Sequence, residues 1–506
     1  MNLILALLPL IICDTPAKCE YEEILGKWTL SIGAMEADTL RDCQTLAPVT
    51  TASTIEIELA KPNLVLDKEG TTIGNWTRVS WEGVSIFMDK KHYFTFWKYE
   101  KKGEDFVTDC TRTMQGWARE DVVAPKELAC WSAIKIGNNG KSEQPAPRPV
   151  ERSIPQNKNY DYFYNSEGVR MVTDTMTLEA AVAIDESIAR STRFVRPHPP
   201  SPRPTNEARL AQFPKSLDWS NMTGRDYTTP VYNQFQCGSC YAFGAYSAVE
   251  SRLLIESKGE IDVSLAMQDI VSCSTYSQKC DGGYAVEVGA WLKDHGTVEY
   301  KCFPYEALND LPCGQKCTQP VRTVHVGSFG YVGGYYGACS EDLMVEELQK
   351  GPIPVNIVVV PSLKQLKTEI YYPTEPVEEW NTSVNHIVLL VGYGEEGGQK
   401  YWKIKNSWDT TWGDSGYGKI VRGNNTILIE SMAEVLSPVV VVPKKALSFL
   451  KLLEFWLMAG LAGLVFVMLV VCMSLCCARQ HSKGKKSQYQ KIGSAGKDSG
   501  RARYAD

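Results

Sequence analysis

The residues best able to do chemistry lie in the stretch Asn233-Gln-Phe-Gln-Cys-Gly-Ser-Cys-Tyr-Ala-Phe243, where Cys240 stands just before an apolar run that reads as a helix from Ala242 to Glu256. A thiol with an ordinary pKa of about 8.5 is mostly protonated at neutral or acidic pH, so attack on an amide carbonyl needs a stabilised thiolate. A helix N-terminus and a nearby imidazolium both supply that stabilisation. Gln234, six positions upstream, carries an amide that can bind a developing oxyanion. Taken alone, Cys237-Gly-Ser-Cys240 has two competing readings, a redox pair of the thioredoxin type or two ordinary disulfide cysteines of a secreted chain.

Asn385-His-Ile387 opens a strand-like run, Ile387 to Tyr393, and Lys405-Asn-Ser-Trp408 follows on the next. The order Gln234, Cys240, His386, Asn406 resembles that of the papain-like cysteine peptidases. The resemblance implies an α+β fold, a two-lobed peptidase domain with one helical and one β-barrel lobe. It also implies that Cys240 attacks the carbonyl, His386 acts as base and then acid, and Asn406 orients the imidazole. Gln234 and the Cys240 N–H would hold the oxyanion, a contribution of about 3 kcal/mol per donor. Trp408 would shield the Asn–His hydrogen bond. One departure is visible: the family has Gly after Asn-Ser-Trp, and Asp409 stands here.

With 506 residues, 44% of them apolar, the chain can form two or three domains with their own cores. A net charge of -6 and the lack of a basic stripe in the folded region argue against nucleic-acid binding. Met1 to Ile12 is apolar and Cys13 is small, which reads as a signal peptide over 1–13. Sequons at Asn75, Asn221, Asn381 and Asn424 agree with a secretory route and N-glycosylation. Phe455 to Cys477 runs 23 residues without a charge, enough for a transmembrane helix across about 30 Å of hydrocarbon. The basic tail that follows, 478–506, makes the chain type I with its enzyme in the lumen. Within it Tyr489-Gln-Lys-Ile492 has the form of a sorting signal read by a clathrin adaptor, and Cys476 and Cys477 border the membrane.

Leu25-Gly-Lys-Trp28 and the alternating, aromatic-rich runs that continue to Trp131 read as an antiparallel β-barrel or sandwich. Together with Asp14-Thr-Pro-Ala and four cysteines, this segment resembles the exclusion domain of the cathepsin C (dipeptidyl peptidase I) family. That resemblance runs from Asp14 to about Ser437. It implies a barrel that blocks the cleft beyond the second substrate pocket, with the carboxylate of an N-terminal Asp14 holding the substrate's free amine. The segments are then an exclusion domain (14–134), a proline-rich propeptide (135–212) with a helical patch at Thr177 to Ala189, a peptidase domain (213–437), and a juxtamembrane linker (438–454). A plain interdomain linker is the other reading of 135–212. Arg193 to Arg203 and the Tyr372 to Ser383 loop are the places for activating cuts.

In the peptidase segment, Cys280-Asp-Gly-Gly283 has glycines that let a substrate backbone approach, so Gly282, Gly283 and Tyr284 are candidate substrate contacts. Of 16 cysteines, Cys13 leaves with the signal and three lie at the membrane; setting Cys240 aside leaves eleven, five pairs and one thiol. The resemblance implies Cys19–Cys110, Cys43–Cys130, Cys237–Cys280, Cys273–Cys313 and Cys302–Cys317, with Cys339 left over. It further implies a homotetramer, no organic cofactor, and a chloride beside the second pocket held by tyrosines. Tyr331 matches one of these, whereas Val286 stands at the other position with Tyr284 close by.

The expectation is a membrane-anchored dipeptidyl aminopeptidase of lysosomal or endosomal vesicles, acting on peptides with free N-termini through a thioester. An endopeptidase with an open cleft is the rival enzyme. A catalytically dead receptor module on the same scaffold is the rival of another class.

Overall fold

A computed structural model describes residues 15–38, 41–45, 50–102, 105–137, 143–145, 162–164, 170–172, 183–184, 186–188, 198–309, 311–313, 317, 322–437 and 439–443. Asp14, the segment Phe455 to Cys477 and the Tyr489/Ile492 signal lie outside the described residues. Among the described residues no helix is long and apolar enough to cross a membrane.

The alternating runs near the N-terminus form a closed antiparallel barrel. Eight strands pair in the ring Gly26–Ile32, Ser53–Ala60, Leu64–Leu66, Thr72–Val79, Gly83–Met88, Lys91–Lys102, Gly116–Glu120 and Ala129–Lys135, and the last returns to the first through Trp28↔Lys135. Alternation sets the inside: Ile57 and Leu59 are buried while Glu56 and Glu58 are not. Trp28, Trp76, Trp97 and Trp131 fill the interior together with Ile86 and Tyr93. Cys19–Cys110 and Cys43–Cys130 close within this domain.

The second half of the chain has a helical and a sheet side. The helix Cys240–Glu256 is buried over nearly its whole length and packs on the strand His386–Glu396. That strand is central to a six-stranded sheet: it pairs with Ile353–Ile357, Gln399–Lys405 and, at its far end, Leu217–Asp218, while Tyr417–Val421 and then Ile370–Tyr371 lie beyond Gln399–Lys405. Cys237–Cys280, Cys273–Cys313 and Cys302–Cys317 staple the helical side. Cys339 is a buried thiol, pushed far above the ordinary thiol range by burial, which makes it unreactive.

One glycine sets the distance between the two sides. A Cβ on Gly244, one turn after Cys240, would stand 2.7 Å from Ile387 Cγ2, so the absence of a side chain lets the helix lie close against the strand that begins with His386. Gly244→Ala is expected to lower kcat/KM for a peptide substrate at least tenfold by pushing Cys240 away from His386. Adding Ile387→Ala, which removes the clashing methyl, is expected to recover most of that loss. A steady-state comparison of the three proteins checks it.

Of the helical patch at 177–189, residues 183–184 and 186–188 are described, and all are helical. Ile184 and Ile188 are buried in a core shared by barrel and peptidase. The helix Glu341–Leu348 begins after Ser340, whose hydroxyl donates to Asp342 Oδ1 at 2.8 Å instead of accepting from a backbone N–H.

Candidate active site

Cys240 is the first residue of its helix and is 4% exposed. Cys237 is bonded to Cys280 and Gly238 N donates to Cys280 O at 2.7 Å, so the Cys237/Cys240 redox pair does not form. His386 is the first residue of its strand, and Asn406 follows the end of Gln399–Lys405, which pairs with it. That register brings the two side chains together: His386 Nε2 and Asn406 Oδ1 are 2.8 Å apart. An acceptor at Nε2 fixes the tautomer with its proton there, leaving Nδ1 as the basic nitrogen. Among the described residues Nδ1 is buried and makes no hydrogen bond. The Trp408 ring stacks on His386 with centroids 4.7 Å apart and 23° between planes, which covers the His–Asn bond.

Burial lowers the His386 imidazole to about 4, against the upward pull of Asn406. The resting ring is therefore a neutral base, and its cation becomes favourable when a thiolate stands beside it. Gln234 is 1% exposed and held from three sides. Its N–H donates to Ser407 O at 3.0 Å, its Oε1 accepts from Ser407 Oγ at 2.6 Å, and its Nε2 donates to Cys237 O at 3.0 Å. The Asn-Ser-Trp stretch thus positions both the imidazole and the glutamine amide.

Asp409 has φ +70°, in the left-handed region that glycine adopts at least cost. Its carboxylate accepts from Thr410 N at 2.5 Å and Thr410 Oγ1 at 3.0 Å, the local bonding by which Asp tolerates this conformation. The departure from glycine therefore preserves the turn and keeps the carboxylate on its outer side.

Cys240 and His386 line one pocket with Gly282, Gly283, Asn356, Val384, Asn385 and Ile387. A Cβ on Gly283 would meet the Tyr241 ring at 2.9 Å. Tyr284 is placed elsewhere: it precedes the helix Ala285–Asp294 and its hydroxyl points to Glu82 Oε1 of the barrel at 3.5 Å. Tyr331 also faces the barrel, its hydroxyl accepting from Ser80 N at 3.3 Å. Burial, and then the negative charge of Glu434, hold the Tyr331 phenol well above its usual range, with Glu287 adding to the effect. Two carboxyl groups beside the tyrosine fit a chloride poorly. Asn75, Asn221, Asn381 and Asn424 are all exposed.

The barrel seats against this region. Gln278 Nε2 and Thr15 Oγ1 are 3.3 Å apart, and Tyr336 N donates to Thr77 Oγ1 at 3.0 Å. Arg119 of the barrel meets Asp294 at 3.0 Å, with both side chains 5% exposed or less, and lies 3.1 Å from His295 Nε2. Phe94 and Trp117 pack on Tyr276 with centroids 5.3 Å and 5.0 Å away. None of these cross-domain partners was legible beforehand.

A thiol at a helix start, a neutral imidazole held by an amide, and a fixed glutamine N–H define a cysteine peptidase. Residues 213–437 match the model of the papain family cysteine proteases, and residues 14–135 match that of the cathepsin C exclusion domain. The chain is 28% identical to cathepsin C of Schistosoma mansoni over 463 residues, 86% of this chain and 98% of that one. It is 30% identical to cathepsin B-like cysteine proteinase 5 of Caenorhabditis elegans over 240 residues, 40% of this chain and 68% of the other. Against digestive cysteine proteinase 1 of Homarus americanus it is 37% identical over 214 residues, 41% and 62% of the two chains. The chain belongs to the papain family of cysteine proteases, and its peptidase domain is preceded by a cathepsin C exclusion domain.

Proposed function

We propose that this protein is a dipeptidyl aminopeptidase that releases two residues at a time from unblocked N-termini. The observation that carries the reading is the barrel seated next to the nucleophile's pocket, with Thr15 at Gln278, two residues before Cys280. Asp14 precedes Thr15 in the chain. As a mature N-terminus, Asp14 would hold a substrate ammonium one dipeptide away from Cys240.

The chemistry follows from the groups in place. His386 Nδ1 takes the Cys240 proton and the sulfur adds to the scissile carbonyl carbon. Gln234 Nε2 and the Cys240 N–H receive the oxyanion. His386 then gives its proton to the leaving amine as the C–N bond breaks, leaving a thioester. Water, deprotonated by His386, attacks the thioester; the C–S bond breaks, the dipeptide acid leaves, and the sulfur regains its proton.

The test is hydrolysis of Gly-Phe-amidomethylcoumarin beside its N-acetylated form, with N-terminal sequencing of the mature protein. A start at Asp14, cleavage of the free-amine substrate alone, and a loss of at least a hundredfold in Asp14→Asn are the expected results. Equal cleavage of both substrates would mean an open-cleft endopeptidase.

The reading extends to a type I membrane anchor at Phe455–Cys477, adaptor sorting through Tyr489 and Ile492, residence in a lysosomal or endosomal membrane, and assembly as a homotetramer. Buried titratable groups tie the fold's stability to pH. Burial, helped by neighbouring cations, lowers His92 and His295 to about 3. His386 falls to about 4, from an ordinary 6.5. The unfolded chain binds protons on these rings that the folded chain refuses, so stability is lost as pH falls from 6.5 toward 4. Burial raises Glu434 from 4.5 to about 8 and Asp269 to about 6. There the folded state binds the extra proton, and that stability is lost as pH rises through those values. Urea denaturation across pH is expected to show greatest stability near pH 6.5, with a loss below it as the three histidines draw protons on unfolding and a loss above it from Glu434.

A further inference from the structure

Beside the glutamine amide the chain carries a ledge that the proposed reaction does not use. Residues 232–234 run antiparallel to 407–409: Gln234 N donates to Ser407 O at 3.0 Å, Asp409 N donates to Tyr232 O at 3.1 Å, and Asn233 pairs with Trp408. Gln234 is buried at the end of this short pair, and the next residue, Phe235, is 48% exposed. Phe235 has φ +50°, a left-handed conformation that is costly for a bulky side chain. Asn233 holds it there, its Oδ1 accepting from Phe235 N at 2.8 Å. The other end of the same amide faces the residue that replaces the family's glycine: Asn233 Nδ2 and Asp409 Oδ2 are 3.5 Å apart. Both Thr410 donors fall on Asp409 Oδ1, and the contact of Oδ2 is long, so Oδ2 keeps capacity for a stronger donor.

This ledge lies on the leaving-group side of the scissile bond. Trp408 stacks on His386, whose Nδ1 hands its proton to the departing amine, and Asn233 and Asp409 are the neighbours of Trp408 across and along the chain. The pocket of Gly282 and Gly283 lies with Cys240 and His386 apart from these residues, and in the proposed reaction it receives the acyl side. An exposed ring beside a carboxylate suits one chemistry above others, a cation on an apolar stem. The charge meets the carboxylate, and the stem and the cation cover the ring.

We propose that Phe235 and Asp409 form a specificity site for the leaving part of the substrate and favour lysine or arginine among its first two residues. The ammonium or guanidinium pairs with Asp409 Oδ2 while its stem lies on the Phe235 ring. Asn233 holds both and is a positioning residue. In a dipeptidyl peptidase these are the third and fourth residues of the substrate. That numbering rests on the dipeptidyl reading, whereas the preference for a cation after the cut bond does not.

The test uses Gly-Phe-Arg-Ala-Ala-amide and Gly-Phe-Ala-Arg-Ala-amide, each beside the peptide with citrulline for arginine, which keeps the shape and removes the charge. Mass spectrometry of the first products identifies the bond cut, and rates are normalised by active-site titration with an epoxysuccinyl inhibitor. In at least one pair the wild-type protein is expected to favour arginine in kcat/KM by about threefold or more, the sum of two weak surface contacts. Asp409→Asn tolerates the turn and removes the charge, and Phe235→Gly suits the positive φ and removes the ring. Each alone is expected to lower the ratio, and the two together to bring it within about twofold of unity. Damage to the fold would lower both peptides of a pair alike and leave their ratio where it was. A smaller wild-type ratio in both pairs, or a ratio that survives the double replacement, would overturn the proposal. A first cut elsewhere than after Phe, with the arginine preference intact when counted from the bond cut, would overturn the dipeptidyl reading alone.

Discussion

Cys240→Ala is expected to lower kcat/KM by roughly 10⁵-fold, and Cys240→Ala combined with His386→Ala to lower it no further. The reason is that the two side chains act as one unit. The imidazole is useful because burial and the Asn406 hydrogen bond present it as a neutral, correctly protonated base next to the sulfur. Without the sulfur it has no proton to take. Gln234→Ala is expected to behave differently, with a loss on the order of 10²-fold and the nucleophile still in place. Its Oε1 bond to Ser407 and Nε2 bond to Cys237 O tie the amide to the same loop that holds Asn406 and Trp408. Part of that loss will therefore come from relaxation of the loop. Irreversible labelling by an epoxysuccinyl inhibitor separates the cases: it should vanish in Cys240→Ala and persist in Gln234→Ala. Labelling of Cys240→Ala at the wild-type rate would remove Cys240 from its proposed role.

How much of this was legible in the residues follows from distance along the chain. Gln234 and Cys240 fall in one short stretch, and His386 and Asn406 open and follow adjacent strands, so local patterns carried them. The barrel was legible as alternation, because Ile57 and Leu59 against Glu56 and Glu58 already separate two faces. Its closure was not, since Trp28 meets Lys135 only through a register that no local signal sets. The same limit hid Asn356 and Glu434, 78 residues apart, whose facing depends on how two separate strand pairs align. Asp409 stood out as a departure at a glycine position, and its positive φ supplies the physical reason for glycine there. Gly244 left a fainter trace, a glycine one turn into an otherwise apolar helix; its role needs the neighbouring Ile387 to be seen. Tyr284 was drawn toward the substrate by the adjacent glycines, but its ring belongs to the interface with the barrel.

That interface carries the other large effect. Under the proposed dipeptidyl function, Asp294→Ala is expected to let the protein cut acetylated substrates as well as free N-termini. Asp294 and its neighbour Arg119 are among the most enclosed charges in the described structure, with side chains 5% and 3% exposed. The Arg119 guanidinium lies over the Tyr276 ring, 5.3 Å from its centre, and the Tyr276 hydroxyl donates to Asp294 at 2.9 Å. His295, kept neutral by burial, is another partner of the guanidinium. Removing Asp294 takes away the carboxylate that the buried Arg119 charge meets at 3.0 Å, a loss of about 3–5 kcal/mol. The docked state bears this cost, since an undocked barrel returns Arg119 to water. Lys293 with Asp121 and the Ala124 N–H to Lys293 O bond at 2.9 Å remain, so docking weakens without being abolished. The catalytic groups sit on other elements, so active-site titration should still count a full complement of nucleophiles. What changes is the closure of the cleft, with acetylated and longer substrates gaining entry while free-amine substrates lose their anchor. The exchanged pair, Arg119→Asp with Asp294→Arg, restores opposite charges across the contact and is expected to recover at least half of the wild-type discrimination. If Asp294→Ala discriminates between acetylated and free substrates as sharply as the parent, the barrel's seat beside the pocket is not what limits the enzyme to N-termini.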